Sequence, residues 1–404
     1  MAEITWGQIA KTVADKTTID EQIDADVLTH NEDVSAHGQL GEGIAVHRMA
    51  DILDHIAESV NNSKILKMAR AYKFIVDAAG EGDYTDIQEA IDAANADGGG
   101  RIFIKAGTYT LSADLTLYSD IQLYGEDDDT TIIDCDSGEH KIKAIGTSGT
   151  HKKNIVINGI QVKDRVSDSD GAIHFNYVDD SKITDCYFTN NLPDTSAEIF
   201  DVYLEDCERV DVIFNRSVSS HTFMGINGNE GGEVRYNYIK STASYGILIY
   251  VADYCEVSSN LFHLCVDDAI HVDDATQNCI FTNNIGRELG AGGLNLASSL
   301  ICTIIGNIMD GDDTAGYGLK LHIGGHCQIQ GNFFKDFGTQ GIYLTNTGHC
   351  SIMGNRVSSC GGYGVNIANS ACEDNIVVGN QLEGNTTGGL NDDGTDTEIG
   401  HNIE

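Results

Sequence analysis

Asparagines recur at a nearly constant interval through the C-terminal half of the chain, and this repeat restricts the possible folds more than any other feature. The gaps between successive members are 23, 24, 23, 25, 23, 25 and 22 residues. A fixed period of this length is typical of architectures that stack neighbouring units. The members are Asn237, Asn260, Asn284, Asn307, Asn332, Asn355, Asn380 and Asn402.

The content of each repeat decides which stacked architecture forms. Each repeat holds three short runs with alternating apolar positions, and no run is long enough for a helix. Three strands and three turns in roughly 23 residues make one coil of a parallel β-helix. A leucine-rich repeat would need a Leu-x-x-Leu-x-Leu series, which is absent. The sequence therefore predicts an all-β fold, a right-handed parallel β-helix solenoid with three strands per coil.

Stacked coils lie about 4.8 Å apart, so like residues form ladders. Asparagine tolerates the left-handed backbone region and its amide can bond the amides above and below, which predicts an asparagine ladder at a tight turn. Cysteine recurs five residues before the asparagine and alternates with an inward apolar position. We therefore expect reduced, buried thiols that act as small hydrophobes. These are Cys255, Cys279, Cys302, Cys327 and Cys350.

Charge and hydropathy exclude several partners. The net charge is −38, so nucleic acid and anionic membranes are poor partners, and no apolar run is long enough for membrane insertion. The first residues lack the basic and apolar regions of a signal peptide, so we expect synthesis in the cytoplasm. No metal ligand is assigned and no cofactor is required, because no run matches a known Ca²⁺ loop. Ca²⁺ held by surface carboxylates stays an open alternative.

Residues ahead of the repeats divide into three parts. Residues 1–42 are polar and aperiodic, which predicts an extended linker or arm. Residues 43–73 form a predicted helical neck, because Met49, Ile52, Leu53, Ile56 and Val60 share one helix face. The β-helix is predicted over 74–404, with its regular coils at 232–404. An amphipathic helix at about 86–95 is placed to cap the open end of the solenoid.

The start of this last region resembles a known superfamily. Residues 76–91 and 98–109, which read VDAAGEGDYTDIQEAI and GGGRIFIKAGTY, are similar to the opening of pectin-lyase-like β-helix proteins. That superfamily contains lyases, hydrolases, epimerases and non-catalytic spikes, so the resemblance implies the fold and leaves the activity open. The N-terminal third has a linker that reads THN at 29–31 and SAHG at 35–38 and is followed by a predicted helix, and in this it resembles phage tail-spike and tail-fibre proteins. This implies a virion-associated protein that acts outside the cell.

Strand alternation predicts an outward stripe of amides, acids and aromatic rings on one face of the solenoid. Such side chains suit a sugar chain, because they bond hydroxyl groups and stack on pyranose rings. A merely polar outer face is the plainer alternative. The predicted substrate-binding residues are His174, Asn176, Asp201, Tyr203, Asn227, Asn229, Tyr250, Asn295 and Tyr343.

The densest part of this stripe is the predicted catalytic site. It combines acids, bases and a cation within reach of one sugar, from residues Asp267, Asp268, His271, Asp273, Lys320 and His322. The Asp-Asp-x-Ile run at 267–270 resembles the paired acids of polygalacturonases, but that family's Asn-Thr-Asp and Gly-His-Gly motifs are missing. Paired acids also occur as plain turn formers.

Two reactions fit these residues. An inverting hydrolase would use two carboxyls, while a lyase acting on a uronic acid would use a cation, a base and an acid. The acidic surface favours hydrolysis of a neutral or mixed glycan. A non-catalytic carbohydrate-binding adhesin and a purely structural spike are the alternatives.

An outward apolar series beside the asparagines predicts a homotrimer, because a monomer would expose it to water. The alternative is that the chain's own neck covers the series and leaves a monomer. The series is Tyr238, Leu261, Ile285, Ile308 and Phe333.

Overall fold

The computed structural model describes residues 72–135, 140–165, 170–192, 198–313 and 316–404. The predicted linker at 1–42 and all but the last two residues of the predicted neck at 43–73 lie outside the described residues. No helix in the described ranges is long and apolar enough to cross a membrane. The described chain is a parallel β-helix, as the period predicts, and the coils between its two ends contribute strands to three faces.

The site face carries the candidate functional residues. Its strands are Leu115–Thr116, Ile142–Ile145, Gly171–Asn176, Phe200–Glu205, Thr222–Glu230, Ile247–Asp253, Asp268–Val272, Gly292–Ala297, Tyr317–Gly325, Ile342–Gly348, Tyr363–Ile367 and Gly388–Asp392. Three short strands continue it at the corner, namely Lys152–Lys153, Thr276–Gln277 and Ser299–Leu300.

The middle face follows the site face within each coil. Its strands are Phe74–Val76, Gly100–Ile104, Ile121–Gly125, Val156–Asn158, Val178–Thr184, Glu208–Ile213, Glu233–Arg235, Glu256–Ser258, Ile280–Thr282, Thr303–Ile305, Gln328–Gln330, Ser351–Met353, Ile376–Val378 and Glu398–Gly400. The third face completes the coil with Gly107–Thr110, Thr131–Asp134, Gln161–Lys163, Tyr187–Thr189, Arg216–Val218, Tyr238–Lys240, Leu261–His263, Ile285–Leu289, Ile308–Gly311, Phe333–Lys335 and Arg356–Ser358.

The asparagine ladder is the clearest device that holds the coils in register. The backbone N–H of Asn260 donates to Oδ1 of Asn284 at 3.1 Å, and its Nδ2 donates to the same oxygen at 3.1 Å. The Asn284 Nδ2 reaches back to the carbonyl oxygen of Val257 at 2.8 Å. The same bonds repeat from Asn215 to Asn402. Each rung thus satisfies buried backbone groups at a turn that no strand ladder covers.

One detail of the predicted ladder is wrong. The ladder asparagines are buried, and the left-handed conformation belongs to the residue before each of them, such as Tyr236 at φ 58°, Ser259 at φ 57° and Asn283 at φ 55°. Glycine takes this position in later coils, as at Gly306. The left-handed residue turns the chain so that the following amide points inward. The amide's role is therefore hydrogen bonding inside the core.

The core is a stack of apolar ladders that ends in a helix. All eleven cysteines are buried and unpaired, as predicted for the five in the regular coils. Burial raises the pKa of Cys265 to about 12, so that thiol keeps its proton. The helix Ile87–Ala96 begins after the N-cap Asp86 and packs Ile87, Ala90, Ile91 and Ala94 against the core, at the place in the sequence where the cap is predicted.

The predicted apolar series lies in register on the third face. Leu261 is 38% exposed and Ile308 is 44% exposed. Tyr238, Leu261 and Ile285 also line a cavity of about 390 Å³ there. The series is therefore an apolar surface of the solenoid, as the sequence predicts. The homotrimer inferred from it stays a prediction.

Candidate functional site

The site face presents one column of outward positions in which each residue is paired with the residue on the next coil. We call it the site column. Histidine, tyrosine, asparagine and lysine occupy six of its eight positions, and a glycine and a leucine occupy the two between Tyr203 and His271. Its members are His174, Tyr203, Gly225, Leu248, His271, Asn295, Lys320 and Tyr343.

A cavity of about 450 Å³ opens in this column beside three successive members. Strand residues form its floor, and turn residues that precede the strands form its wall. The lining residues are Tyr245, Asp267, Asp268, His271, Ala291, Asn295, Gly316, Tyr317, Lys320 and Thr339. The cavity is open at its ends and is large enough for about one sugar residue.

The Asp268 carboxylate orients the imidazole of His271. Asp268 begins the strand Asp268–Val272 and is only 7% exposed. Its Oδ2 lies 2.6 Å from Nδ1 of His271 and accepts a hydrogen bond of 3.1 Å from Nδ2 of Asn295. A carboxylate on Nδ1 fixes the ring and leaves Nε2 as the nitrogen available for proton transfer. Both partners are held by strands, so the pair is preorganised.

Tyr245 and Asp267 form the wall next to this pair. The Tyr245 ring lies 4.6 Å from the His271 ring, centroid to centroid. Burial, together with the nearby charges of Asp267 and Asp268, raises the pKa of Tyr245 to about 12. The phenol therefore keeps its proton at neutral pH and can donate it. The Ser244 hydroxyl donates to Oδ2 of Asp267 at 3.0 Å and positions that carboxylate.

Lys320 supplies the positive charge of the cavity. No carboxylate within the described ranges forms an ion pair with its ammonium group, which lies 5.7 Å from the centre of the Tyr317 ring. The Tyr317 ring in turn stacks on Tyr343 at 5.0 Å. Lys320 shares the cavity with the carboxylates of Asp267 and Asp268 but forms an ion pair with neither, although the chain has 62 acidic residues. Its ammonium group is therefore available for an anionic ligand.

The structure brings together most of the predicted catalytic residues. Asp267, Asp268, His271 and Lys320 line one cavity, together with the predicted binding residue Asn295. Two others do not line it. The Asp273 side chain is 63% exposed, with Oδ1 4.0 Å from Nε2 of His271. His322 lies in register with Ala297 on the next outward column.

Two predicted binding residues face the core, so their predicted outward position is wrong. Asp201 is fully buried near the start of the strand Phe200–Glu205, where three successive residues are buried and burial does not alternate, and it accepts a bond of 2.8 Å from Asn191 Nδ2. Asn229 follows a register shift between Ile226 and Asn229 that turns it inward. There its Oδ1 accepts a bond of 3.1 Å from the backbone N–H of Cys207.

The other predicted binding residues are spread along the site face. His174 lies between Asp170, at 3.4 Å, and Glu205, at 3.6 Å. Tyr203 packs against His174 with ring centroids 5.3 Å apart. These two residues belong to the site column four and three coils before His271. The site column therefore continues well beyond the cavity.

Three neighbours of this column complete the predicted set. Asn176 donates to Glu205, and Asn227 donates to the Tyr203 hydroxyl at 3.5 Å. The Tyr250 hydroxyl donates to Glu198 at 2.6 Å. All three side chains are thus already hydrogen-bonded within the protein.

Sequence alternation misses Tyr245, Tyr317 and Thr339. Tyr245 and Thr339 lie just before a strand, and Tyr317 is the first residue of one, so none occupies a position that alternation marks as outward. An aromatic residue directly before the Gly-Ile run, as in Tyr245-Gly246, is the one signal that points to the wall.

The family model described as periplasmic copper-binding protein (NosD) matches residues 99–288 and 279–403. The chain belongs to the NosD family. No curated protein sequence matches it.

Solved structures similar to this chain come from several enzyme and virion proteins. The A-module of mannuronan C-5 epimerase AlgE6 of Azotobacter vinelandii aligns with TM-score 0.55 and 17% identity, covering 78% of this chain and 93% of that one. A GH87 α-1,3-glucanase catalytic unit of Streptomyces thermodiastaticus aligns with TM-score 0.64 and 14% identity, covering 78% of this chain and 65% of that one. Tailspike protein 3 of bacteriophage CBA120 aligns with TM-score 0.60 and 16% identity, covering 80% of this chain and 55% of that one. The chain spans less than two thirds of the last two. At these identities the similarity establishes the fold.

The family description raises the question whether this chain has donors for copper. Each described cysteine is buried, and burial raises the pKa of Cys186 and Cys207 to about 12, which disfavours thiolate ligands. The described ranges contain two groups of three residues, and in each group the three candidate donor atoms lie within 4.8 Å of one another. Asp127, Asp128 and Asp129 offer oxygen alone. His151, Asp179 and Glu208 offer one nitrogen and two oxygens, a set that fits Cu²⁺.

Proposed function

We propose that this protein binds an extended polysaccharide along the site column and acts on it in the cavity at His271, by proton transfer on a uronic acid residue. One observation carries the proposal. The oriented Asp268–His271 pair lines the same cavity as Lys320, which lies two coils further along the site column and has no ion-pair partner in the described ranges. The three similar structures support the substrate class, since their names refer to mannuronan, to α-1,3-glucan and to a tailspike.

The chemistry follows from these positions. The Lys320 ammonium neutralises the sugar carboxylate, which makes the hydrogen on C5 more acidic. The Nε2 of His271 accepts that proton as general base, with Asp268 stabilising the imidazolium. In an elimination, the C5 electron pair forms the C4–C5 double bond and the C4–O bond breaks. Tyr245 then donates its proton to the leaving oxygen. In an epimerisation, the C4–O bond stays intact and a second donor, Tyr245 or a water molecule, delivers a proton to C5 from the face opposite His271, which releases the abstracted proton to solvent.

Hydrolysis is the second candidate, because Asp267 and Asp268 both line the cavity. An inverting hydrolase needs one protonated and one ionised carboxyl on either side of the glycosidic bond. The Oδ2 of Asp268 is used for positioning, because it lies 2.6 Å from Nδ1 of His271 and accepts a bond from Nδ2 of Asn295. Asp267, which accepts a bond from the Ser244 hydroxyl, then has no second uncommitted carboxylate in the cavity lining to act with it, and proton abstraction is the better candidate.

The biological setting that we propose is a phage tail-spike type of receptor depolymerase that acts outside the cell as a homotrimer. The resemblance of the N-terminal third to tail spikes and the apolar series on the third face support it. The polysaccharide would then be a host envelope glycan. A carbohydrate-binding adhesin that uses the same column without cleavage is the alternative, as is a structural spike.

The proposal is tested by incubating the protein with polyuronates and with neutral glucans. Unsaturated products absorb in the ultraviolet, reducing ends report any cleavage, and deuterium from solvent at C5 reports epimerisation. His271→Ala and Asp268→Asn are expected to lower the rate by about 10²–10⁴-fold. Asp274→Asn removes an exposed acid nearby and is the control. Reducing ends without unsaturation would support hydrolysis, and glycan binding without any product would support the adhesin.

A further inference from the structure

Three metal-ligating side chains from successive coils meet at the corner between the site face and the middle face. The His151 Nδ1 lies 2.7 Å from Oδ1 of Asp179, and Asp179 is in direct register with Glu208. Ligand atoms of all three lie within 4.8 Å of one another. Asp179 and Glu208 lie on the same coils as His174 and Tyr203, which are four and three coils before His271. This group is therefore separate from the His271 cavity.

The surroundings of this group concentrate negative charge. Glu208 is in register with Glu230, and Glu230 with Asp253, so carboxylates occupy four successive coils. Like charges directly opposite one another on neighbouring strands are destabilising. The Arg209 guanidinium offsets part of this charge, since Nη1 lies 3.0 Å from Oε2 of Glu208 and Nε lies 2.7 Å from Oδ1 of Asp180. A divalent cation would offset more.

The donor set selects the class of cation. Two carboxylates alone would suit Ca²⁺ or Mg²⁺, but an imidazole nitrogen favours zinc, copper and similar ions. The side chains are half-buried, which leaves a route for the ion and room for water to complete its coordination. The Tyr177 ring packs 5.3 Å from the His151 ring, and Arg209 holds Glu208, so two of the three ligands have supporting contacts.

We propose that His151, Asp179 and Glu208 bind one divalent transition-metal ion of the zinc and copper(II) class. The ion would connect three successive coils, each of which supplies one ligand. It would therefore stabilise this end of the solenoid against unfolding. This proposal does not depend on the activity assigned to the His271 cavity.

Calorimetric titration of the full, metal-stripped chain with Zn²⁺ tests the site. We expect one ion per chain and a rise in melting temperature on binding. His151→Ala and Glu208→Gln should each lower the affinity more than about tenfold. With Cu²⁺ in place of Zn²⁺, electron paramagnetic resonance should show one coordinated imidazole nitrogen that His151→Ala removes.

His349→Ala is the matched control. His349 is an exposed histidine that stacks on His326 at 4.7 Å and lies 3.5 Å from Asp374. This variant should bind Zn²⁺ as the unmodified chain does. Absence of binding, unchanged affinity in His151→Ala, or loss of binding in His349→Ala would each overturn the proposal. The melting temperatures of the metal-free variants show whether they are folded. If His151→Ala does not fold, Glu208→Gln still tests the site.

Discussion

Replacing one rung of the asparagine ladder should destabilise the solenoid far more than its size suggests. Asn284 lies in the middle of the ladder and is fully buried. Its side chain accepts bonds from the backbone N–H and from Nδ2 of Asn260, each at 3.1 Å. It also donates to Val257 O at 2.8 Å and to Oδ1 of Asn307 at 3.0 Å. Asn284→Ala removes all four bonds and adds no new partner.

The magnitude follows from these four bonds. A typical net contribution is about 1 kcal/mol for each hydrogen bond, and a buried group left without a partner costs about 1–3 kcal/mol. Because two of the bonds share one acceptor and two share one donor, the costs do not add fully. We expect a loss of about 3–5 kcal/mol in the free energy of unfolding.

The loss is measured by urea unfolding followed by circular dichroism in the β-sheet region. Two matched variants bracket it. Gln277→Ala truncates an exposed amide and should change the free energy by less than about 0.5 kcal/mol. Asn402→Ala removes the terminal rung, which water can reach, and should cost about 1–2 kcal/mol. A loss below about 1 kcal/mol for Asn284→Ala would refute the role we give the ladder.

Three further predictions concern charge, pH and assembly. Lys320→Met should weaken binding of an anionic oligosaccharide about tenfold or more while leaving neutral glycans unaffected, as measured by calorimetry, whereas Lys335→Met, whose ammonium is paired with Asp310 and Asp336, should change neither. Burial raises the pKa of Asp201 to about 7, so the native state keeps a proton that the unfolded chain releases near pH 3.8. The stability from this residue is full below about pH 4 and falls as pH rises to 7, and Asp201→Asn should flatten that part of the stability profile. Light scattering should give three chain masses, reduced to one by Leu261→Glu but unchanged by Ile301→Glu; a single-chain mass for the unmodified protein would contradict the trimer.

The fold is predictable because its signal is repeated. The asparagine spacing, the buried cysteines and the alternating apolar positions each recur on many coils, so an error in one repeat does not change the result. Whether a particular residue of one coil faces inward or outward is harder to predict from the sequence. The predicted outward positions of Asp201 and Asn229 are wrong because the start of one strand is buried at successive residues and a register shift interrupts the other, whereas the prediction assumes strict alternation.

The candidate site is predictable in part for the same reason. His271, Asn295 and Lys320 lie on regular strands, so alternation and register place them together. Tyr245 lies on a turn whose path depends on local backbone geometry, and the sequence carries little information about it. The pairing of Asp268 with His271 also needs the strand to begin at Asp268, which no periodic signal specifies.

The structure of the His271→Ala variant bound to a uronic acid oligosaccharide tests the central claim most directly. The account predicts that the sugar chain follows the site column. One carboxylate should lie within hydrogen-bond distance of Nζ of Lys320, and the C5 hydrogen of that sugar should face the space that the imidazole vacates. A sugar chain bound on another face, or one in the column with its carboxylate directed away from Lys320, would contradict it.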